Sequence, residues 1–378
     1  MTQQKGMTYE GSGVNYSILD DYKRRAQKAG LATAHYLKQY GFEELTWSRG
    51  ESAYVMKSPW GPYFAFVIEG VGTKPLAAEG LKEECLKHGF PDLPSYFDHL
   101  AQCNVAMALN DLVTVGAMPL IYGQYAATGD SRWMDDKQRC NDLVDGTLES
   151  CHMSRCTWAN GETPTLRRMV FPNTIDLAGA TLGIIMEEKH LINPANIADG
   201  DVIILVGSSG IHANGLTMAH DIAQKLPQGY HTLLKDGHTY GESLLDPTFI
   251  YVPLIAACQK QGIDLHYTIN ITGHGWRKLM RANGNFRYVV ERLPPQLPIF
   301  DFLQEHGPVD DREAYGNLNM GAGFALYVPD DEVKKTLEIL AVAGYDAWET
   351  GHIEKSDAKQ VVITPKNIVF DGSELGVR

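Results

Sequence analysis

The sequence lacks the features that mark several classes of protein. It contains no uninterrupted apolar run near the roughly 18 residues that a membrane-spanning helix requires. Its opening residues lack the apolar core of a secretory signal peptide. Positive charge is also scarce, with 33 Lys and Arg against 46 Asp and Glu and a formal net charge of −13. That balance opposes nonspecific attraction to nucleic acid or to an anionic membrane. We therefore expect a cytoplasmic protein with no nucleic-acid and no membrane partner.

Cysteine is sparse as well, with 6 in 378 residues, which is too few for a disulfide scaffold. Only Cys151, His152 and Cys156 cluster, and no second pair follows at zinc-ligand spacing. The pattern is more typical of cysteines that pack as small apolar residues at a helix end and a strand start than of a metal site.

Glycine is the abundant residue, with 37 in clusters rather than spread evenly. The length suggests two domains at roughly 150 residues each, and mixed strand and helix patterns indicate an α/β (α+β) fold. Turn residues around a proline change the composition near 188–200. We expect one domain over 1–190, a second over 191–365, and a tail over 366–378 outside the core.

The first candidate site is the segment Glu69–Lys74, which follows a predicted buried strand over Tyr63–Ile68. A carboxylate, glycine amides and an ammonium group within six residues suit a magnesium–phosphate site. The segment is not a Walker A loop. The alternative is an ordinary hairpin turn with solvated charges.

Two further candidates carry carboxylates. Asn110 and Asp111 lie within an apolar helical run, where a polar pair is costly to bury unless it is satisfied. Asp111 is therefore a candidate metal ligand with Asn110 as a hydrogen-bonding neighbour, and the alternatives are a helix-terminal cap or a pair that faces solvent. In the segment 160–163, Glu162 follows a glycine after a short strand, a weaker signal because such dipeptides are common in turns.

The segment Gly207–Gly215 lies between a predicted strand and a predicted helix. Glycine amides at a helix N-terminus form an anion site, and the side chains of this segment add donors. The alternative is a tight β–α connection with a buried histidine. The segment Asn270–Gly275 has a similar strand–glycine–helix pattern, whereas the glycines of Asn317–Gly323 favour close backbone packing.

Taken in order, these six segments resemble those of the phosphoribosylformylglycinamidine cyclo-ligase (AIR synthetase) family, here as a divergent member. The match runs over about residues 8 to 363. Each motif alone is weak, but their order makes a chance match improbable. The resemblance implies a two-domain fold in which the N-terminal domain pairs its sheets across a homodimer and the C-terminal domain is α/β.

The resemblance also implies the reaction. ATP with Mg²⁺, and in many members K⁺, closes the imidazole ring of formylglycinamidine ribonucleotide to give aminoimidazole ribonucleotide, a step of purine biosynthesis. ATP phosphorylates the formyl amide oxygen to an iminophosphate, and the amidine nitrogen displaces phosphate. The expected partners are ATP, a phosphoribosyl substrate and a second copy of the chain.

The implied site residues fall into three groups. The metal ligands are Glu69, Asp111 and Glu162. The catalytic residues are Glu69, Asn270, Thr272 and His274. The cofactor-binding residues are Gly70, Gly72, Thr73, Lys74, Asn110, Gly161, Thr163, Gly207, Ser208, Ser209, Gly210, His212, Asn214, Gly215 and Gly273.

The sequence departs from the family pattern at several of these positions. Glu69 and Asn104 stand where the family usually has Asp, and Asn270 stands where it has His. Glycines of the family are replaced at Asn160 and His274. A lost histidine removes an acid–base group that titrates near neutrality. The departures keep two alternatives open: a related kinase or synthetase acting on another amide or acid, and a nucleotide-binding dimer without activity.

Overall fold

Two mixed β-sheets, one from each half of the chain, organise the computed structural model, which describes residues 7–8, 10–13, 15–88 and 94–376. The first sheet has six strands in the order β1-β2-β3-β6-β4-β5. These are β1 (Glu43–Glu44), β2 (Tyr54–Lys57), β3 (Tyr63–Gly70), β4 (Met118–Thr128), β5 (Thr157–Glu162) and β6 (Ile175–Ile185). The helices of this half are α1 (Tyr16–Leu31), α2 (Pro75–His88), α3 (Phe97–Val113) and α4 (Lys137–Ser154).

The second sheet has seven strands in the order β13-β12-β9-β11-β7-β10-β8. These are β7 (Val202–Gly207), β8 (Tyr267–Asn270), β9 (Phe286–Val290), β10 (Ala322–Val328), β11 (Ala347–Lys355), β12 (Gln360–Ile363) and β13 (Ile368–Asp371). Its helices are α5 (Leu216–Ala223), α6 (Tyr240–Leu244), α7 (Val252–Lys260), α8 (Pro298–His306), α9 (Asp311–Asn317) and α10 (Val333–Val342). The mixed architecture confirms the predicted class.

The two sheets differ in how their faces are covered. All residues of β7 and β10 are buried, as expected for central strands covered on both faces. In β3 the burial alternates from Tyr63 to Ile68, so one face packs on α3 while the other stays open.

Helix α3 joins the two halves. From residue 103 to its end every side chain is buried, which is the pattern of a helix enclosed on all sides. Gln102 donates to the Thr248 carbonyl at 2.9 Å, and Asn110 donates to the Phe249 carbonyl at 2.7 Å and accepts from the Tyr251 amide at 2.8 Å. These bonds fix the end of α3 against the C-terminal half.

The predicted tail over 366–378 is wrong for the part that the structure describes. Residues 368–371 form β13, which pairs antiparallel with β12, and Phe370 is buried at this sheet edge. The alternating apolar residues Ile368 and Phe370 supply the inward face of the strand. Among the described residues, no helix is both long and apolar enough to cross a membrane.

Candidate active site in the interdomain cleft

A cleft of about 480 Å³ lies between the two halves and is roofed by α1. The end of β3 and the last turn of α3 form one wall, and the loop that follows β8 forms the other. The lining residues are Tyr16, Lys23, Gln27, Gly50, Glu51, Ser52, Glu69, Gly70, Gly72, Met107, Asp111, Ala213, Asn214, Thr272, Gly273, His274, Lys278 and Arg281. Several predicted residues therefore meet in one place.

The N-terminal wall carries two carboxylates. Glu69 follows the alternation of β3 and points toward α3, where Asp111 lies in the last turn with 4% exposure. Burial, together with the neighbouring Asp111 carboxylate, raises the pKa of Glu69 to about 7. Asn270 donates from Nδ2 to Asp111 Oδ1 at 2.7 Å, which fixes that carboxylate.

The C-terminal wall is made by Thr272, Gly273 and His274. His274 adopts a left-handed backbone, φ 69°, and its ring stacks on Tyr16 of α1 with the ring centroids 3.7 Å apart. Its Nε2 lies 3.2 Å from Asp20 Oδ2. Burial lowers the pKa of His274 to about 3 although Asp20 opposes the shift, so the imidazole is neutral near pH 7.

The sequence patterns missed the cations of the cleft. Lys278 and Arg281 come from the short 3₁₀ helix Gly275–Met280 and the residue after it, and Lys23 comes from α1. Arg281 donates to the Gly50 carbonyl at 2.8 Å, which ties this turn to the N-terminal half. The one available signal was a lysine among apolar residues in Trp276–Met280, because such a lysine needs a buried partner.

The loop after β3 is only partly in the cleft. Gly70 and Gly72 line it, and Gly72 takes a left-handed backbone, φ 56°, that suits glycine. Thr73 is exposed, and its carbonyl lies 2.8 Å from His220 Nε2.

The expectation that Lys74 contacts ATP phosphates is not supported. Its side chain is fully buried, and Nζ donates to the His212 carbonyl at 2.8 Å and to the Asp246 carbonyl at 2.7 Å. The ammonium group of Lys74 therefore forms hydrogen bonds with two backbone carbonyls of the C-terminal half.

The segment Gly207–Gly215 turns most of its donors inward, contrary to the expected phosphate loop. Ser208 Oγ donates to Asn319 Oδ1 at 3.0 Å, and Ser209 Oγ donates to the Pro247 carbonyl at 2.6 Å. His212 is buried, and burial lowers its pKa to about 3, with Lys74 adding to the shift.

The glycines of this segment also serve packing. A Cβ at Gly210 would come within 3.3 Å of Asp246, and one at Gly215 within 2.4 Å of Leu318. The Gly207 amide donates to the Asp346 carbonyl at 2.8 Å. Of the whole segment, Ala213 and Asn214 line the cleft.

Other predicted residues lie outside the cleft of this chain. Asn110 is occupied by the backbone bonds described above. Gly161, Glu162 and Thr163 are exposed at the far edge of the first sheet. Glu162 pairs with Tyr125 on β4, Tyr125 with Ala178 on β6, and Ala178 with Gly70 on β3. At about 4.8 Å per strand, that register puts Glu162 roughly 14 Å from the end of β3.

The predicted three-carboxylate metal set is therefore not assembled. Within the described ranges, no group of three or more His, Cys, Asp or Glu side chains is arranged to hold a metal ion. Glu69 and Asp111 remain as an enclosed pair, and burial together with the Asp111 charge raises the pKa of Glu69 although Lys278 and Arg281 oppose the shift. Such a pair fits Mg²⁺, which binds through one or two carboxylates together with substrate phosphates.

Comparison with known families identifies the class of protein that this fold and cleft define. Residues 50–185 match the family described as AIR synthase related protein, N-terminal domain, and residues 198–364 match its C-terminal domain. The chain belongs to the AIR synthase related protein family, whose members are ATP-using enzymes.

Solved structures share the fold at low sequence identity. A HypE–HypF complex matches with 16% identity and a TM-score of 0.58, covering 85% of this chain and 92% of that one. PurL of T. maritima complexed with ADP matches with 13% identity and a TM-score of 0.56, covering 87% of this chain and 46% of that one. The E. coli hydrogenase maturation protein HypE matches with 13% identity and a TM-score of 0.52, covering 72% and 78%. At such identities the likeness establishes the fold alone.

Proposed function

We propose that this chain is an ATP- and Mg²⁺-dependent enzyme that closes the ring of formylglycinamidine ribonucleotide to aminoimidazole ribonucleotide. One observation carries the proposal: an enclosed carboxylate pair, Glu69 and Asp111, faces glycine amides and a donor-rich wall across one cleft. The reaction needs such an arrangement, because it must neutralise a triphosphate and hold two reacting groups in place.

The N-terminal wall is suited to the nucleotide phosphates. Glu69 and Asp111 would hold Mg²⁺, which supplies positive charge to the triphosphate. The backbone of Gly70 and Gly72 lets a ligand approach closely. Across the cleft, the Asn214 Nδ2 group is enclosed and has no hydrogen-bond partner in the described part of the chain. A buried donor of this kind is costly to leave unpaired, so a phosphate or ribose oxygen is a fitting acceptor.

The C-terminal wall is suited to the acceptor. With Nε2–H donating to Asp20, the neutral His274 would offer Nδ1 as a hydrogen-bond acceptor that orients the attacking amidine nitrogen, since a pKa of about 3 makes the ring too weak a base to hold the released proton. Tyr16 of α1 covers the His274 ring and so limits the access of water.

The test is to incubate the purified protein with MgATP and formylglycinamidine ribonucleotide and to follow ADP and aminoimidazole ribonucleotide together. Both products support the proposal. ADP without aminoimidazole ribonucleotide, or ADP only with another acceptor, would replace it with a related kinase or synthetase. ATP binding without turnover across an acceptor panel would indicate an inactive nucleotide-binding protein.

The second candidate, phosphorylation of a different amide or acid, is favoured by Asn270. Its side chain is turned toward Asp111 and cannot act as the acid–base group that a histidine supplies in the family. Asn270→His separates the two candidates. A rise in aminoimidazole formation would favour ring closure, whereas ADP release with another acceptor and still no aminoimidazole would favour the second.

We also propose that the first sheet pairs with that of a second copy. Its open face carries apolar residues directly opposite one another, Phe66 with Leu182 and Ile68 with Ala180. Phe66 is 41% exposed and Ile68 is 67% exposed, and Ile121, which pairs with Leu182 from β4 on the other side of β6, is 42% exposed. A contiguous exposed apolar patch of this kind marks an interaction site.

Ile68→Asp tests this proposal, because a carboxylate at the centre of a paired sheet face would be buried without a partner. We expect the dimer to become a monomer at micromolar concentration in light scattering coupled to size exclusion. Val342→Asp is the control, because Val342 is 91% exposed on α10. A monomeric wild type, or an Ile68→Asp variant that dimerises as the wild type does, contradicts the proposal.

A further inference from the structure

Lys278 is an enclosed lysine whose ammonium group faces the cleft. It lies in the 3₁₀ helix Gly275–Met280, where the neighbouring Trp276 and Leu279 are fully buried and hold the turn in place. Lys278 itself is 7% exposed and lines the cleft. Its position is therefore set by packing rather than by free rotation of an exposed side chain.

The hydrogen bonds of Lys278 leave one donor available. Nζ donates to the Asn270 carbonyl at 3.4 Å and to Thr272 Oγ1. An ammonium group has three N–H donors. In the ranges that the structure describes, no third acceptor lies within hydrogen-bond distance. The third N–H is thus available to a ligand in the cleft.

The charges around Lys278 place it opposite the proposed phosphate wall. Asp111 and Glu69 are the negative groups that act on it, and Arg281 and Lys23 are the positive ones. Of these, Arg281 donates to the Gly50 carbonyl and to Ser52 Oγ, and Lys23 is a half-exposed lysine that pairs with Asp20 at 3.3 Å. Lys74, the lysine assigned to phosphates by the family resemblance, also donates to two acceptors, but its side chain is fully buried and does not line the cleft. Lys278 is therefore the lysine that is both enclosed and part of the cleft lining, with a donor free to meet a phosphate.

We propose that Lys278 is a catalytic residue that binds the γ-phosphoryl oxygens of ATP while the phosphoryl group is transferred. The inference rests on the proposed function, since it requires ATP in this cleft. An oxygen of the acceptor forms a bond to the γ-phosphorus as the bond to the β–γ bridging oxygen breaks. That electron pair leaves with ADP, and negative charge spreads over the three γ-oxygens. Lys278 keeps its proton throughout and stabilises that charge.

A purely structural role would be to balance the charge of Glu69 and Asp111. The two roles differ in what they affect. Loss of a charge-balancing lysine would alter nucleotide affinity and thermal stability, whereas loss of a group that acts in the transition state would lower kcat.

The experiment compares wild type, Lys278→Met and Lys278→Arg with the full chain. Single-turnover ADP release from MgATP is measured with the acceptor that the wild type uses, or with water where it uses none. ATP affinity by calorimetry and Tm are measured alongside. For Lys278→Met we expect ADP release to fall at least 100-fold, with ATP affinity within threefold and Tm within a few degrees of wild type. Lys334→Met on the exposed face of α10 should leave all three unchanged.

Each of the following outcomes overturns the inference. ADP release within threefold of wild type would exclude a catalytic role while leaving the proposed function intact. Loss of ATP binding or of stability in proportion to turnover would assign Lys278 a structural role. A wild type that binds no ATP, or releases no ADP, would overturn both proposals. Where Lys278→Met does not fold, Lys278→Arg decides: at least a tenfold loss of ADP release at unchanged ATP affinity supports the inference, and a smaller loss overturns it.

Discussion

The two walls of the cleft differ in how they acquire their charge. The N-terminal wall is acidic, and its carboxylates come from regular elements, Glu69 from β3 and Asp111 from α3. The C-terminal wall is rich in donors, and its groups come from the loop after β8 and the short turn that follows. The acidic wall is thus held by a strand and a helix, which define positions more rigidly than loops. The donor wall depends on contacts with α1 and with the first half of the chain.

The largest expected effect is on the acidic wall, from Asp111→Asn. If Asp111 holds Mg²⁺ on the nucleotide, turnover should fall about 1,000-fold, equivalent to about 4 kcal/mol of transition-state stabilisation. The change is isosteric, so Tm of the protein without nucleotide should stay within a few degrees. The rate of ADP release measures turnover, and thermal unfolding measures Tm. Asp98→Asn, at an exposed position of the same helix, is the matched control, and unchanged activity in Asp111→Asn would remove Asp111 from the site.

The next effect concerns the junction of the two walls, tested by Lys74→Met. This change leaves two buried carbonyls, those of His212 and Asp246, without their donor. We expect the free energy of unfolding to fall by about 3 kcal/mol. Urea unfolding measures it, with Lys87→Met, on the exposed face of α2, as the control. A wild-type stability in Lys74→Met would show that the tie between the walls is weak.

The smallest effect is a pH dependence of the acidic wall. The folded-state pKa of Glu69 is about 7, above the ordinary value of a glutamate. At pH values between the two, the folded protein holds a proton on Glu69 that the unfolded chain has released. Stability contributed by this group is present at low pH and is lost as pH rises toward 7. In the absence of metal and nucleotide, we expect the free energy of unfolding to fall by about 2 kcal/mol between pH 5 and 7.5 from Glu69 alone.

Glu69→Gln should remove this part of the pH dependence, because glutamine does not titrate. Urea midpoints at the two pH values, measured in EDTA, give the comparison, and Glu338→Gln on α10 is the exposed control. A Glu69→Gln profile parallel to that of wild type would mean that Glu69 does not carry the excess negative charge of this wall.

The acidic wall could be read from the sequence, as could Thr272, Gly273 and His274 of the donor wall, but the cations of the donor wall could not. A carboxylate after an apolar strand and an Asn–Asp pair in an apolar helix are conspicuous, because each is costly to bury. Lys278 belongs to no motif, and its partners Asn270 and Thr272 become neighbours only when the loop after β8 folds back.

The errors at Gly207–Gly215 and at the C-terminal end have the same origin. Ser208 and Ser209 bond Asn319 and the Pro247 carbonyl, which are distant in sequence, so nothing local shows that these donors are already used. The strand β13 has four residues and gains its place only by pairing with β12. In both places the structure depends on contacts between residues that are distant in sequence, and local sequence patterns do not show such contacts.

The burial of α3 on all sides has a consequence for how the chain folds. Its apolar surface is shared by both halves, and Asn110, Gln102 and Lys74 supply hydrogen bonds across the boundary. The buried apolar residues form one continuous cluster through both halves, so we expect the two units of sequence to form one cooperative folding unit. Cutting the connection 186–201 would divide the core rather than release two stable fragments, and heat should melt the intact chain in a single transition.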